Sequence, residues 1–220
     1  MAPTSIDGND ITGATIDGQD VSEITVDGDV VFTAGPEVVF NFESGDLSNW
    51  RNTSQTSITT SIVNEGTYAC LSDDNSKDHI YSLPGDGLNK YPSPDGTEWV
   101  YAQYNADAGD HRFGWAAGGS SSDYNSSGYE VAHRAGNNRF ELNVDGSSMD
   151  TDGTTPPTGE WLINRGTWAS NGDINITVED ANGNTVATLS ANDSTYTSQG
   201  AVYIAGRSTG SGGQVYFDAP

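Results

Sequence analysis

The sequence predicts an all-β protein: an antiparallel two-sheet jelly-roll sandwich preceded by a short segment of β-hairpin repeats. Many short runs rich in β-branched and aromatic residues are separated by Gly, Asn and Asp turns. Apolar and polar residues alternate along Phe140–Val144 and Ile174–Val178, as in strands with one buried face. Helical periodicity is not convincing anywhere. A ten-residue repeat at the start of the chain predicts the hairpins.

In this repeat, Ile6–Gly8, Ile16–Gly18 and Val26–Gly28 each place a branched apolar residue before an Asp-Gly pair. Asp-Gly between β-branched residues is a strong hairpin signal, because Gly accepts a positive φ and Asp tolerates it. A second branched residue follows each turn. The apolar positions that we expect to mediate assembly are Ile6, Ile11, Ile16, Val21, Val26 and Val31.

Short hairpins of this kind cannot bury their own apolar faces, and such repeats need a neighbour to complete a core. We therefore expect residues 1–34 to be an assembly and anchoring segment that docks on other protein chains. Residues 35–36 would form a hinge, and residues 37–220 the displayed jelly-roll domain. The expected state is a homo-oligomer, a trimer or a pentamer. The alternative interpretation of residues 1–34 is a flexible low-complexity tail.

The chain is strongly acidic, with 31 Asp and Glu against 8 Lys and Arg and a formal net charge of −23 at pH 7. Because a phosphate backbone would be repelled, this charge excludes nucleic acid as a partner and argues equally against a membrane surface. Five Trp and ten Tyr favour a packed core over disorder. Dense carboxylates with almost no lysine suggest a halophilic source, since the Debye length falls to roughly 3 Å in molar salt. An acidic mesophilic surface protein is the alternative.

Length and cysteine content set further bounds. The 220 residues allow one domain of moderate size beside the repeat. Cys70 is the only cysteine, so it cannot form an intrachain disulfide, and we expect it in a buried strand. The sequence shows neither a secretory signal nor an apolar run of the roughly 18 residues that a membrane span needs. This composition without an export signal is what we expect of a particle assembled inside a cell.

Four segments carry a family resemblance: VVFNFESGDLSNW at residues 38–50, the strand–turn–strand from Asp173 to Leu189, Gly200 to Tyr203, and the closing Gln214–Asp218. They resemble the concanavalin A-like lectin/glucanase jelly rolls, which include laminin-G-like modules. The resemblance covers residues 37–220 and implies a lectin-like sandwich whose last strand returns beside the first. The ten-residue repeat is similar to N-terminal attachment segments of tailed-virus head or tail appendage proteins, including those of haloarchaeal viruses.

That family includes glucanases, and a retaining glycosidase needs two carboxyl groups about 5–5.5 Å apart. Glu141, Asn143 and Asp145 share the polar face of a predicted strand, but the central residue is an amide and Asp145 begins a turn. Glu179 and Asp180 are adjacent and therefore point to opposite faces. We expect a non-enzymatic protein with a solvated acidic face at these positions.

The three histidines, His79, His111 and His133, lie on separate predicted strands without a short-spaced pair of ligands. A histidine metal site is therefore not expected. Because His111 is followed by Arg112 and His133 by Arg134, we interpret these two histidines as surface polar residues.

Calcium is the better metal candidate, because it binds oxygen ligands and the family resemblance implies an ion that ties loop ends together. Asn41 and Glu43 share one face of the first predicted strand, and Asp46 follows in the turn. Asp218 would complete the set if the last strand paired with the first. An ordinary acidic turn is the alternative. The predicted calcium ligands are Asn41, Glu43, Asp46 and Asp218.

The stretch from Asn105 to Tyr129 is the most ligand-like region, because long polar loops on a rigid sandwich usually carry binding sites. The predicted glycan-binding residues are Trp115, Asp123, Tyr124 and Tyr129. A core position is the alternative for Trp115, which alternates with Phe113 on one strand face. The remaining tryptophans are expected to pack inside the domain: Trp50, Trp99, Trp161 and Trp168.

Together these features predict a structural virion surface protein of a halophilic virus: a turret, decoration or fibre of a head or tail appendage. Its lectin-like domain would have host-surface glycans as a candidate ligand, and other virion proteins would be its partners. A cell-surface or secreted carbohydrate-binding module is the alternative function. A glycan depolymerase is the third.

Overall fold

The computed structural model of the chain describes residues 5–6, 9–10, 15–16, 19–20, 23–26, 29–33, 35–73, 79–119, 126–207 and 214–220. The chain divides into two units, Met1–Pro36 and Glu37–Pro220. Among the described residues the helices are two short 3-10 turns, Thr53–Gln55 and Ala135–Asn137, and no helix has the length and apolarity to cross a membrane. The all-β prediction is confirmed.

The first unit contains three antiparallel β-hairpins, each of which pairs the residues on either side of an Asp-Gly dipeptide. Ile6 pairs with Asn9, and Ile16 pairs in the same way with Gln19. The predicted hairpins are therefore confirmed. Their strands are β1 (Ser5–Ile6), β2 (Asn9–Asp10), β3 (Thr15–Ile16), β4 (Gln19–Asp20), β5 (Glu23–Val26) and β6 (Asp29–Thr33).

The predicted assembly contacts of this unit concern its side chains, and they stay a prediction. For Ile6, Ile16 and Val26 the structure describes a paired backbone, and Val31 lies in β6 at the register shift of the third hairpin. Ile11 and Val21 lie outside the described residues. The branched residues before the three Asp-Gly pairs do occupy equivalent backbone positions, each at the end of the first strand of its hairpin.

The second unit is a sandwich of two sheets, as predicted. The smaller sheet has six strands in the order β10-β19-β12-β13-β14-β15. The larger sheet runs β18-β17-β16-β11-β20-β9-β8, and β7 joins it by pairing with β11 in parallel. The strands are β7 (Glu37–Val38), β8 (Thr56–Thr59), β9 (Ala69–Asp73), β10 (His79–Ser82), β11 (Trp99–Asn105), β12 (Asp110–Ala117), β13 (Tyr129–Arg134), β14 (Arg139–Val144), β15 (Ser147–Asp152), β16 (Trp161–Trp168), β17 (Asp173–Asp180), β18 (Thr185–Asn192), β19 (Ala201–Arg207) and β20 (Gln214–Asp218).

Tight turns fall where the sequence predicts them. Asp145 and Gly146 connect β14 to β15 with φ angles of 48° and 74°, the left-handed pair that a type I′ hairpin requires. Asn182–Gly183 lies in the connection between β17 and β18. The sequence did not predict β15, because Ser147–Asp152 carries no regular alternation of apolar residues.

Aromatic side chains fill the space between the two sheets. The rings of Tyr101 and Phe113, from opposite sheets, have centroids 4.2 Å apart. Burial of a side chain the size of Phe stabilises the fold by roughly 1.5–3 kcal/mol. A β-carbon at Gly166 would overlap the indole of Trp99, so this position of β16 requires glycine. The buried tryptophans are Trp50, Trp99, Trp115 and Trp168.

The last strand lies in the middle of the larger sheet, which corrects the prediction that it returns beside the first strand. β20 pairs with β11 on one side and with β9 on the other. β20 pairs with β11 along Ala102–Asn105. On the same edge of β11, β7 pairs only with Trp99 and Val100, at the start of the strand. Cys70 of β9, opposite Phe217, is buried as predicted, and burial raises the pKa of its thiol.

Candidate functional site

Two of the predicted glycan-binding residues are core residues, which corrects that prediction. Trp115 and Tyr129 are both 0% exposed, and their ring centroids are 5.6 Å apart. A sugar stacks on an exposed ring face, so neither side chain can serve, and the alternative core position of Trp115 is the right one. Asp123 and Tyr124 lie outside the described residues.

Three other aromatic side chains form a row on the outer face of the larger sheet. Tyr104 of β11 pairs with Trp161 of β16 on one side and with Tyr216 of β20 on the other. The ring centroid of Tyr104 lies 5.5 Å from that of Trp161 and 5.8 Å from that of Tyr216. Tyr104 and Trp161 are partly exposed, and Tyr216 is 5% exposed. We call Trp161, Tyr104 and Tyr216 the aromatic row.

The alternation of side chains along a strand places Trp161 on the outer face. Trp168 lies seven positions after Trp161 in the same strand, and an odd separation puts two side chains on opposite faces. Because Trp168 is buried in the core, Trp161 points outwards. The prediction that Trp161 packs inside is wrong, since it rests on hydrophobicity alone and ignores this parity.

The ring planes of the aromatic row are not parallel to each other. Tyr104 makes an angle of 60° with Trp161 and 86° with Tyr216, both edge-to-face arrangements. Such pairs are favourable because the positive edge of one ring meets the negative face of the next. Leu71, opposite Tyr216 on β9, and Ile163 on β16 are partly exposed and extend the apolar surface. The row is therefore a ridged surface rather than a flat one.

Asn105 anchors the segment that leads into Trp161. Its backbone oxygen accepts a hydrogen bond of 2.9 Å from the backbone N–H of Gly159. Its side-chain Nδ2 donates to the backbone oxygen of Pro157 at 3.2 Å. Asn105 is 0% exposed and directly follows Tyr104 in β11. The end of β11 therefore supplies one ring of the row, Tyr104, and also holds the segment that leads into the next ring, Trp161.

The same asparagine belongs to a chain of hydrogen bonds that crosses between the sheets. Gln103 Nε2 donates to Asn105 Oδ1 at 2.7 Å, and Asn105 Nδ2 donates to Nδ1 of His133 at 3.2 Å. His133 Nε2 then donates to Asn164 Oδ1 at 2.8 Å. These partners select the neutral imidazole with its proton on Nε2. Burial of the ring lowers the pKa of His133 to about 3.

His111 and His133 are both 0% exposed, so the interpretation of these two histidines as surface residues is wrong. Each shares its strand face with the core aromatics, because parity and not the neighbouring arginine sets the direction of the side chain. His111 Nε2 lies 3.3 Å from Asp107 Oδ1. Burial opposes ionisation of Asp107, but the nearby His111 ring and the N–H of Gly109 outweigh it and lower the pKa of this carboxyl.

The outer face of the smaller sheet carries buried ion pairs. Arg112 Nη1 lies 2.6 Å from Glu130 Oε1, and Arg134 Nε lies 2.9 Å from Glu141 Oε2. Glu130 and Glu141 are each 3% exposed, so the predicted solvated acidic face is wrong for Glu141. Arginines on the same and neighbouring strands neutralise both carboxylates, and neither is accessible to a substrate in this structure. The arrangement stabilises the sheet.

Two predicted calcium ligands hold backbone amides instead. Glu43 Oε1 accepts hydrogen bonds from the N–H groups of residues 67–68 at 2.9 and 3.0 Å. Asp218 is 0% exposed, and its Oδ2 accepts from the N–H groups of residues 64–65 at 2.9 and 3.2 Å. Burial raises the pKa of Asp218, and the nearby charge of Glu43 adds to this effect.

The other two predicted ligands do not complete a metal cluster with them. Asn41 and Glu43 line a cleft of about 340 Å³. Asp46 accepts from the hydroxyl and N–H of Ser48 at 2.7 and 3.0 Å, and these bonds lower the pKa of its carboxyl. Within the described part of the chain, no group of three or more His, Cys, Asp or Glu side chains could hold a metal ion. The predicted set, which includes the amide of Asn41, contains no such group, and the calcium site stays a prediction.

No family model and no curated protein matches this sequence. Among solved structures, the chain is similar to the cellulose induced protein Cip1, with a TM-score of 0.52 and 15% identity over 81% of this chain and 93% of that one. It is also similar to the carbohydrate binding module CBM66 from Bacillus subtilis, with a TM-score of 0.50 and 12% identity over 79% and 94% of the two chains.

At these identities the likeness shows the fold alone. The similarity of the hairpin repeat to virus attachment segments stays a prediction. Residues 37–220 therefore form an antiparallel two-sheet β-sandwich, consistent with a jelly roll, and share this fold with both structures.

Proposed function

We propose that residues 37–220 form a non-enzymatic carbohydrate-binding domain and that its ligand stacks on the aromatic row. The observation that carries this proposal is the placement of Trp161, Tyr104 and Tyr216 side by side on three adjacent strands, facing out of the sandwich. Trp161 lies on the face opposite the core and is partly exposed there. Trp161 and Tyr104 are partly exposed aromatic rings on a rigid sheet, which is typical of a recognition surface, and Tyr216 packs against Tyr104 as its support.

The chemistry of the row suits a sugar. One face of a pyranose ring presents several C–H groups, which pack on an aromatic ring, while hydroxyl groups at its rim accept or donate hydrogen bonds. The Trp161 indole N–H and the hydroxyl of Tyr104 are neutral partners of that kind. The hydroxyl of Tyr216 is already engaged, since it donates to Gln214 Oε1 at 3.5 Å. Because the rings stand at 60° and 86° to one another, the row fits a single twisted chain or a terminal sugar. It does not fit the flat face of a crystalline polysaccharide.

The role of the hairpin unit within this proposal is to attach the domain to a larger assembly. Three short hairpins supply repeated strand edges and branched residues at equivalent positions, which favours pairing with neighbouring chains. We propose that the assembly is a homo-oligomeric surface structure, such as a head or tail appendage of a halophilic virus, with the sugar on the host surface. A secreted or cell-surface binding module would share the aromatic row but not the anchoring role.

A glycan array with the full chain tests the binding function, and Trp161→Ala tests the site. Loss of the largest ring should weaken binding roughly tenfold or more, since about 1.4 kcal/mol corresponds to a factor of ten in Kd. Tyr81→Ala is the matched control, because Tyr81 is a partly exposed tyrosine on the outer face of the smaller sheet. Absence of binding to every glycan would overturn the function, and equal losses in both variants would overturn the site.

A further inference from the structure

Lysine and arginine side chains in the described part of the chain are all engaged by carboxylates. Of the eight Lys and Arg residues, only Lys77 and Arg207 have side chains outside the description, and each of the other six lies within 4.0 Å of a carboxylate oxygen. The pairs are Arg51 with Asp86, Lys90 with Glu37 and Asp95, Arg112 with Asp110 and Glu130, Arg134 with Glu141 and Asp110, Arg139 with Glu141, and Arg165 with Glu179 and Glu98.

We propose that the aromatic row takes an uncharged glycan and discriminates against uronate, sialylated and sulfated chains. This inference rests on the carbohydrate-binding function proposed above and names the chemical class of its ligand. A cation that is free to form a charge-assisted hydrogen bond strengthens the recognition of a carboxylate or sulfate on a sugar. Near the row no described cation meets that condition.

Arg165 is the cation that shares a strand and a face with the row. It lies four positions after Trp161, an even separation, so both side chains point outwards from β16. Its Nε lies 3.0 Å from Glu179 Oε2, and its Nη1 lies 3.9 Å from Glu98 Oε1. Glu179 and Glu98 therefore already neutralise the guanidinium, and an anionic sugar that approached it would meet both carboxylates. On the other side, the exposed Glu160 directly precedes Trp161.

The charge of the whole chain acts in the same direction. A net charge of −23 repels a polyanion at every repeat unit that approaches the surface, and the repulsion extends over a Debye length of about 8 Å in 0.15 M salt. A neutral glycan meets no such barrier. Ring stacking and hydrogen bonds to neutral donors are unaffected by the surface carboxylates, so the row retains its full attraction for an uncharged chain.

Affinity electrophoresis of the full chain tests this preference. The gels contain soluble neutral glucan, mannan, galactan or xylan, or the carboxymethylated form of each, and the hydroxyethylated form controls for the added bulk. Retardation is measured in 0.15 M salt. We expect at least one neutral polymer and its hydroxyethylated form to retard the protein. Its carboxymethylated form should bind roughly tenfold more weakly, the effect of about 1.4 kcal/mol of repulsion.

The outcomes separate this inference from the function on which it rests. Equal or stronger binding of a carboxymethylated polymer, lost in Trp161→Ala, would overturn the preference for uncharged chains and leave the aromatic row as a carbohydrate site. Absence of binding to every polymer would overturn the function and, with it, the inference. Selective binding of a neutral polymer that Trp161→Ala weakens supports both.

A charge-release variant tests the local cause. Glu179→Gln keeps the size of the side chain but frees Arg165 from its nearest carboxylate, so binding of the carboxymethylated polymer should rise towards that of the neutral one. Glu65→Gln makes the same charge change at an exposed position in a different part of the domain and should leave the preference unchanged. Identical responses of the two variants would show that the charges around Arg165 do not set the preference, which would overturn the proposal.

Discussion

Tyr104 and Asn105 are consecutive residues of β11 whose side chains serve opposite faces of the larger sheet. The ring lies in the aromatic row, and the amide lies inside the sandwich, where it holds the backbone of Pro157. The row and the segment that enters Trp161 are therefore fixed to a single strand end. A substitution at the buried Asn105 should therefore change the position of the exposed Trp161 ring.

Asn105→Ala is expected to weaken glycan binding although Asn105 touches no ligand. The variant leaves His133 Nδ1 and the Pro157 carbonyl without a partner, and each unsatisfied buried group costs about 1–3 kcal/mol. Looser support of residues 157–160 should misplace Trp161. Asn143→Ala is the control, because Asn143 is a buried asparagine of the smaller sheet that donates to Glu130. Both variants are compared by calorimetric binding and thermal melts. A similar loss of Tm in the two variants, with a loss of affinity only in Asn105→Ala, supports the positioning role.

Acid should destabilise the domain through His133 before most carboxylates titrate. The ring has a pKa of about 3 when folded and about 6.5 when unfolded, so the unfolded chain binds more protons between these values. Its contribution to stability is complete above pH 6.5 and is lost as the pH falls towards 3, with a slope of up to about 1.4 kcal/mol per pH unit. Denaturant unfolding at constant ionic strength from pH 7 to 5 should show this slope. His133→Gln should flatten it, and an unchanged slope in the variant would assign the titration to other groups.

High salt should stabilise the fold. The 31 acidic side chains against 8 basic ones repel one another at low ionic strength, and screening removes that repulsion. Thermal melts in 0.1 M and 2 M potassium chloride measure the effect, with roughly 2–4 °C expected for each kcal/mol of repulsion removed. Equal midpoints in the two salts would contradict a halophilic adaptation.

Asp218→Asn should destabilise the domain to the same extent with calcium or with chelator present. The carboxylate accepts three backbone N–H bonds, from Asn64, Glu65 and Ala219, and an amide supplies only one acceptor oxygen. A loss of about 1–3 kcal/mol is expected for the unmatched donors. A melting temperature of the unmodified chain that falls with chelator, and an Asp218→Asn variant insensitive to chelator, would instead place a calcium ion at this residue.

Deletion of residues 1–34 should leave a folded, monomeric domain. Residues Met1–Pro36 and Glu37–Pro220 are separate units, and each sheet of the sandwich is complete without the hairpins. Size-exclusion chromatography with light scattering and circular dichroism compare the deletion with the full chain. An oligomer that persists after the deletion would move the assembly contacts to the sandwich.

Local patterns predicted the local structure. The Asp-Gly hairpins and the strands of alternating residues depend on neighbours within a few positions, and both are confirmed. Strand parity would also have separated Trp161 from Trp168, so that part of the candidate site was accessible from the sequence. The prediction used hydrophobicity alone and missed it.

Pairings between distant strands could not be derived in this way. Nothing near Tyr216 specifies that β20 inserts between β9 and β11, and without that pairing the third ring of the row has no neighbour. The buried position of His133 likewise depends on amides from β11 and β16, which satisfy both ring nitrogens. From the sequence alone, a histidine of this kind is predicted to be exposed, because its hydrogen-bond partners are distant in sequence.

The central position of β20 also sets the order in which the domain can fold. Until residues 214–218 are available, β11 and β9 lack the strand that joins them, and the larger sheet exists as two halves. Most of the remaining contacts also join residues far apart in sequence, a property that slows folding. A ribosome-bound chain that ends before residue 214 therefore exposes two unpaired strand edges, and its completion waits for the last segment of the domain to emerge.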